Sequence, residues 1–62
     1  MAVDLIYHAT YGQNRKIRNC LQEGVHVDAM NFREENALLH AARHGQFGTI
    51  KLLLKAGSEV NR

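Results

Sequence analysis

Two histidines spaced four residues apart offer the first candidate chemistry in this sequence. His40 and His44 would share one face of a helix and could together contribute two ligands to zinc. A metalloprotease helix has glutamate directly after the first histidine, where this chain has Ala41, so the general base is missing. A structural zinc site needs four ligands, and Cys20 and His8 are the only obvious reserves. We therefore interpret the pair as part of a solvated helix face and expect no metal site.

The single cysteine is the second candidate. A catalytic thiol needs a neighbouring base and a partly open, electropositive environment. His8 could lie near it, but Cys20 aligns with Leu53 in the internal repeat described below, at a position that we expect in the core. A buried cysteine behaves as a small hydrophobic side chain. There is no Gly-rich phosphate loop and only one serine, so we predict no catalytic residue, no cofactor and no enzymatic activity.

Basic residues form a third candidate group. Arg15, Lys16 and Arg18 cluster on one predicted helix, and Lys51 and Lys55 lie on the corresponding helix one repeat later. Such a group can bind the phosphates of a nucleic acid, which remains an alternative function. The favoured interpretation is a solvated outer helix face, whose long side chains cover apolar surface with their aliphatic parts.

The elements that position these residues follow from an internal repeat of 33 residues. Sliding the chain by that distance aligns residues 3–29 with 36–62, and eight of the 27 pairs are identical. Roughly two identities would be expected by chance at ordinary residue usage. The identical pairs are Leu5/Leu38, Ala9/Ala42, Gly12/Gly45, Gln13/Gln46, Ile17/Ile50, Leu21/Leu54, Gly24/Gly57 and Val27/Val60. Such a period is the signature of stacked units that share a core, and a miniature four-helix bundle is the alternative.

Each unit is predicted to contain two short helices, because apolar residues recur at helical spacing. The predicted helices span residues 5–11, 14–23, 37–44 and 47–56. Asp4 and Asn36 are the expected N-caps of the first helix in each unit. Gly57 is expected to end the last helix in a left-handed conformation. An extended excursion through residues 25–35 should follow the first helix pair. Leu54→Ala should cost about 2–5 kcal/mol if Leu54 belongs to the core.

The second unit resembles the ankyrin repeat. Residues 36–45 read Asn-Ala-Leu-Leu-His-Ala-Ala-Arg-His-Gly, similar to the family pattern Thr-Pro-Leu-His-x-Ala-Ala-x-x-Gly, and residues 57–61 are similar to its Gly-Ala-Asp-Val-Asn ending. The first unit is a weaker match, carried by residues 8–12 and 24–28. Glu34 stands where the family's hairpin turn usually has glycine, and Leu39 stands where the family has its histidine.

This resemblance covers nearly the whole chain and implies an all-α fold. The expected architecture is an ankyrin-repeat helix–turn–helix solenoid with hairpin-like connecting loops. One domain over residues 1–62 would hold two repeats, about 3–35 (the first unit) and 36–62 (the second unit). The first unit is atypical and similar to an N-terminal cap, and the chain could be a fragment of a longer array.

The resemblance also implies a protein–protein interaction module. In ankyrin proteins, hairpin tips and the exposed sides of the first helices line a concave binding surface. The matching positions here are Tyr7, Thr10, Tyr11, Phe32, Arg33, Glu35, Arg43 and His44. Tyrosine and arginine are common interface anchors, and an exposed phenylalanine calls for a reason. The alternative is a structural fragment that self-associates or packs on further repeats, since the second unit has no obviously polar outer face.

One further position follows from the same resemblance. The residues from Leu53 to Asn61 are similar to the sequence around ankyrin asparagines that asparaginyl hydroxylase modifies, so Asn61 is a candidate modification site.

Composition limits the remaining possibilities. The chain has 62 residues, a net charge of +2 and one cysteine, so we expect one small domain without an internal disulfide. Residues 2–8 are too short and too polar for a signal peptide, and no run approaches the roughly 18 apolar residues of a membrane span. We therefore expect a soluble intracellular protein, cytoplasmic or nuclear, that has no membrane partner.

Overall fold

The computed structural model describes the backbone of residues 2–60 and the side chains of residues 4–57. It contains four helices, α1 (Ala2–Thr10), α2 (Asn14–Gln22), α3 (Ala37–Arg43) and α4 (Phe47–Val60). No strand occurs among the residues that the structure describes. The prediction of an all-α fold is therefore confirmed.

The four helices pack in two ways, within each half of the chain and between the halves. Within each half of the chain, α1 packs against α2 and α3 packs against α4. Between the halves, α1 packs closely against α3, whereas α2 contacts α4 more lightly. The core between them consists of Leu5, Ile6, Ala9, Ile17, Cys20, Val27, Ala37, Ala41 and Leu53.

The turns that join the helices of each pair have the same geometry. Gly12 and Gly45 adopt φ angles of 67° and 66°, the left-handed conformation that glycine takes without steric penalty. The next residue, Gln13 or Gln46, donates its backbone N–H to the carbonyl five residues earlier at 2.9 Å in both turns. The backbone thus repeats itself at the same 33-residue distance as the sequence.

Among the described residues, two hydrogen bonds join the α1–α2 pair to the α3–α4 pair. The Gln46 side-chain amide donates to the Thr10 carbonyl at 3.1 Å. The Thr49 hydroxyl, which is almost fully buried, donates to the Asn14 side-chain oxygen. Burying a hydroxyl without a partner is unfavourable, so this bond fixes how α4 lies against the start of α2.

The predicted helix ends are correct in part. Asn36 caps α3, since its side-chain oxygen accepts the Leu39 backbone N–H at 2.9 Å. The N-cap prediction for Asp4 is wrong, because α1 begins at Ala2 and Asp4 lies inside its first turn. A carboxylate there still interacts favourably with the helix dipole.

The predicted end of the last helix is also wrong. Gly57 lies inside α4, which continues to Val60. Its helical backbone passes close to Val27, whose Cγ1 would be 3.9 Å from an added Cβ. Glycine permits a left-handed helix end but does not impose one. At the matching position of the first unit, Gly24 does follow the end of α2.

Leu54 does not belong to the core. Its side chain is 56% exposed, whereas the adjacent Leu53 is 3% exposed and belongs to the core. Leu21, the matching residue of the first unit, is half-buried. The reason is geometric, because the second unit covers one side of the first, whereas no residue among side chains 4–57 covers the far side of the second.

Candidate functional site

The segment between α2 and α3 folds into a hairpin-like tip. The Asn31 side-chain oxygen accepts two backbone N–H groups, from Arg33 at 2.9 Å and from Glu35 at 3.0 Å. The Asn31 backbone N–H donates to the Glu35 carbonyl at 2.9 Å. The predicted extended excursion is thus interrupted by turns, because asparagine side chains readily replace a backbone partner in this way.

Glu34 shows why a glycine is usual at this point of the loop. It adopts a φ of 60°, the only non-glycine residue with positive φ among those that the structure describes. A side chain in the left-handed region costs roughly 1–2 kcal/mol, so the hydrogen bonds of Asn31 must hold the tip in this shape.

Glu35 fastens the tip to α3. Its carboxylate accepts hydrogen bonds from the Arg43 guanidinium at 2.8 Å, from His40 Nε2 at 3.2 Å and from the Asn31 side-chain amide at 3.2 Å. His40 and Arg43 are three residues apart and therefore share one face of α3. The Glu35 side chain is only 15% exposed. We call these four residues, Asn31, Glu35, His40 and Arg43, the Glu35 cluster.

These hydrogen bonds set the protonation of the cluster. The Asn31 amide, then the Arg43 guanidinium and the His40 ring, lower the pKa of Glu35 from 4.5 to about 2. All three donate to the charged form of the carboxyl group, which favours that form. Glu35 is therefore a carboxylate throughout the physiological pH range.

The outermost residues of the loop are Phe32 and Arg33. The Phe32 side chain is 90% exposed, and the Arg33 guanidinium carbon lies 5.5 Å from the centre of its ring. An arginine at this distance over an aromatic face is a cation–π pair. The loop thus presents a hydrophobic ring and a positive charge together at its tip.

Aromatic residues also line the exposed side of α1. Tyr7 and Tyr11 are both exposed, and their ring centroids lie 5.0 Å apart. Thr10 between them is half-buried, and its hydroxyl donates to the Ile6 carbonyl at 3.0 Å in the same helix. The two tyrosines therefore form an exposed aromatic pair on this helix.

The exposed sides of α1 and α3 carry matching positions. In the 33-residue register, Tyr7 corresponds to His40, Thr10 to Arg43, and Tyr11 to His44. Since α1 and α3 pack side by side, these positions form neighbouring rows, and the Glu35 cluster lies on the row of α3. We call these two rows and the loop tip at Phe32 and Arg33 the first-helix surface.

The residues predicted as a binding surface fall into three groups. Tyr7, Tyr11, Phe32, Arg33 and His44 are exposed. Arg43 is also exposed but is engaged with Glu35, which is partly covered. Thr10 is half-buried and bonded within its own helix.

Two members of the Glu35 cluster are not among the residues predicted as a binding surface. His40 was predicted to lie on a solvated helix face, and Asn31 belongs to no predicted site. The spacing of Glu35 and His40 on either side of the Asn36 cap was a usable signal, because a side chain just before a helix can reach its first turns. The candidate modification site Asn61 lies outside the described residues.

The remaining candidate residues lie elsewhere in the structure. Cys20 is buried and unpaired, as predicted, and His8 Nδ1 donates to the Gln13 side-chain oxygen at 3.0 Å. Within the described part of the chain, no three histidine, cysteine, aspartate or glutamate residues are grouped as a metal site would require. The basic residues Arg18, Lys51 and Lys55 line an open groove between α2 and α4.

Comparisons with known proteins add no assignment. No protein-family model, curated protein or solved structure matches this chain. None of the helices in the described residues has the length and apolar character needed to cross a membrane.

Proposed function

We propose that this chain is a protein–protein interaction module of ankyrin-repeat type that binds a protein partner through the first-helix surface. The observation that carries this proposal is the Glu35 cluster, which fastens the exposed loop tip to α3. The 33-residue repetition of the turn geometry supports the ankyrin-type architecture. We also propose a cytoplasmic or nuclear location, with which a single buried cysteine is compatible.

The mechanism is rigid display. A flexible loop would lose conformational freedom on binding, at about 0.5–1.5 kcal/mol for each immobilised side chain. Here three hydrogen bonds to Glu35 and two to the Asn31 side chain hold the loop before any partner arrives. The exposed Phe32 ring, the Arg33 charge and the two tyrosines then supply the contacts, and these residue types dominate interface energetics.

Site-specific photocrosslinking tests the proposal. A photoreactive phenylalanine analogue placed at Phe32 should crosslink a partner in extracts of the source cells. Phe47 provides a matched control, because it is also a highly exposed phenylalanine but lies at the start of α4, outside the first-helix surface. The expected result is a crosslinked protein from position 32 that is absent from position 47. The same products from both positions would contradict a specific surface.

A second candidate function rests on the unequal burial of identical residues. Leu5, Ala9 and Ile17 are fully buried, but their counterparts in the second unit are half-buried or exposed. These counterparts are Leu38, Ala42 and Ile50. Repeat units stack by covering such faces, so the open side of α3 and α4 is suited to a further repeat or a second copy of the chain.

Analytical ultracentrifugation distinguishes this candidate from the first. Self-association through the open side should be visible for the native chain and should be abolished by Leu54→Glu, which places a charge on that side. Phe32→Glu is the control and should leave self-association unchanged. If the native chain is a monomer at all concentrations, a second copy does not cover the open side of α3 and α4, and a further repeat remains as the proposed neighbour.

A further inference from the structure

The groove between α2 and α4 is separate from the first-helix surface. It has a volume of about 960 Å³ and is open to solvent along its length. Its apolar lining consists of Leu21, Val25, Val27, Leu52 and Ala56. It exists because α2 and α4 contact each other only lightly, and Gly24 and Gly48 on its walls have no side chains to fill it.

The rim of the groove is positively charged. Arg18 comes from α2, and Lys51 and Lys55 come from one face of α4, four residues apart. No carboxylate belongs to the described lining, and the ion pairs found among side chains 4–57 are both at Glu35. Three cations therefore flank an apolar floor without an acidic partner within residues 4–57.

We propose that this groove binds an acidic peptide segment whose apolar side chains enter the floor while its carboxylates pair with Arg18, Lys51 and Lys55. Charge complementarity selects an anionic partner. The apolar floor selects a peptide, because Leu21, Val25 and Leu52 would be covered by apolar side chains and removed from water.

A nucleic acid fits the groove less well. Phosphates would use the three cations but would leave the apolar floor exposed. Bases of a single strand bind by stacking on aromatic side chains, and the described lining has no phenylalanine, tyrosine or tryptophan. The lining also includes His26, whose Nδ1 already accepts the Asp28 backbone N–H at 3.1 Å.

Selection from a random short-peptide library displayed on phage is the direct test. The immobilised native chain should enrich sequences that combine aspartate or glutamate with leucine, isoleucine or phenylalanine. The affinity of one enriched synthetic peptide is then measured by fluorescence anisotropy for a set of variants. The groove variant is Lys51→Glu with Lys55→Glu. The matched control is Arg15→Glu with Lys16→Glu, which makes the same change in net charge on exposed positions of α2 outside the groove.

The groove variant should bind the peptide with an affinity at least about tenfold lower, since two attractive contacts are replaced by repulsive ones. The control should change the affinity by less than about threefold, through screened long-range charge alone. Phe32→Ala should have no effect, and this separates the groove from the first-helix surface. Replacing the leucine, isoleucine or phenylalanine residues of the selected peptide by serine should also abolish binding.

Three results would overturn the proposal. Enrichment of peptides without acidic residues would show that the groove does not select negative charge. Equal losses of affinity in the groove variant and the control would show that the peptide does not bind in the groove. Tighter binding of an oligothymidine of the same charge than of the selected peptide would assign the groove to nucleic acid instead. Circular dichroism of each variant confirms that it remains folded, so that a loss of binding is not a loss of structure.

Discussion

At the scale of single residues, Glu35 connects the loop to the helix that follows it. Its carboxylate accepts a hydrogen bond from Arg43, the last residue of α3, which lies eight residues further along the chain. Both residues were predicted as parts of a binding surface from the family resemblance. Their bond to each other was not predictable from spacing alone, because it depends on how the tip turns back at Asn31.

The lowered pKa of Glu35 has a consequence for stability at acid pH. Since its pKa in the folded chain is about 2 and its ordinary value is 4.5, the stabilisation it provides is complete above about pH 4.5. It is lost as the pH falls from 4.5 towards 2, because the unfolded chain takes up the proton first. Urea midpoints of the native chain should therefore fall across this interval.

Glu35→Gln isolates the contribution of this carboxylate. The charged and titratable side chains that face it, Arg43 and His40, are retained in the variant. The urea midpoint of Glu35→Gln should depend less steeply on pH between 4.5 and 2 than that of the native chain. Parallel curves for the two proteins would show that Glu35 titrates normally and that the cluster does not hold the loop.

At the scale of elements, the two interhelical turns are equivalent in backbone but not in surroundings. Gly12 and Gly45 share the same φ within a degree. A Cβ on Gly12 would lie 2.6 Å from the Gln46 side-chain oxygen, whereas a Cβ on Gly45 would meet nothing within 4 Å. The first turn therefore also serves as a contact between the two halves.

Replacing each glycine by alanine separates these two effects. The free energy of unfolding of both variants should fall by about 1–2 kcal/mol, because alanine is strained in the left-handed backbone conformation. Gly12→Ala should lose about 0.5–1.5 kcal/mol more, because the displaced Gln46 amide gives up its hydrogen bond to the Thr10 carbonyl. Urea denaturation measures both losses.

The control repeats both glycine substitutions in a chain that already carries Gln46→Ala. In this background, the two glycine substitutions should lower the free energy of unfolding equally. A difference that persists in this background would mean that Gln46 is not the cause.

The elements also show how far the sequence determines the structure. Four helices, their approximate positions and the Asn36 cap follow from periodicity and capping chemistry, which are local. Helix ends were less predictable, because Gly57 permits either a stop or a continued helix and its packing next to Val27 is a tertiary effect. The loop at Asn31 was likewise hidden, since side-chain turns leave only a weak trace in composition.

At the scale of the whole molecule, the two halves repeat but are not equally buried. One side of the first unit is covered by the second, and the corresponding side of the second is open. Leu21 and Leu54 are identical in the 33-residue register, but Leu21 is half-buried and Leu54 is exposed, because burial depends on neighbours that the aligned pair does not share.

Adjacent leucines on α4 test this asymmetry. Leu53→Ala should cost about 2–5 kcal/mol, since it removes buried side-chain volume from the core. Leu54→Ala should cost less than about 1 kcal/mol in the dilute chain, because its side chain is largely solvated. Equal losses in urea denaturation at low concentration would show that a neighbour covers Leu54 in solution.

The exposed loop tip, held by Glu35, is proposed to bind a protein. Isothermal titration calorimetry of the crosslinked partner with three chains tests this proposal: the native protein, Phe32→Ala and Phe47→Ala. Phe32→Ala should lower the affinity for the partner by at least about tenfold, because truncating an interface anchor has an effect of this size. Phe47→Ala should change the affinity by less than about twofold. Equal affinities for all three chains would contradict the account.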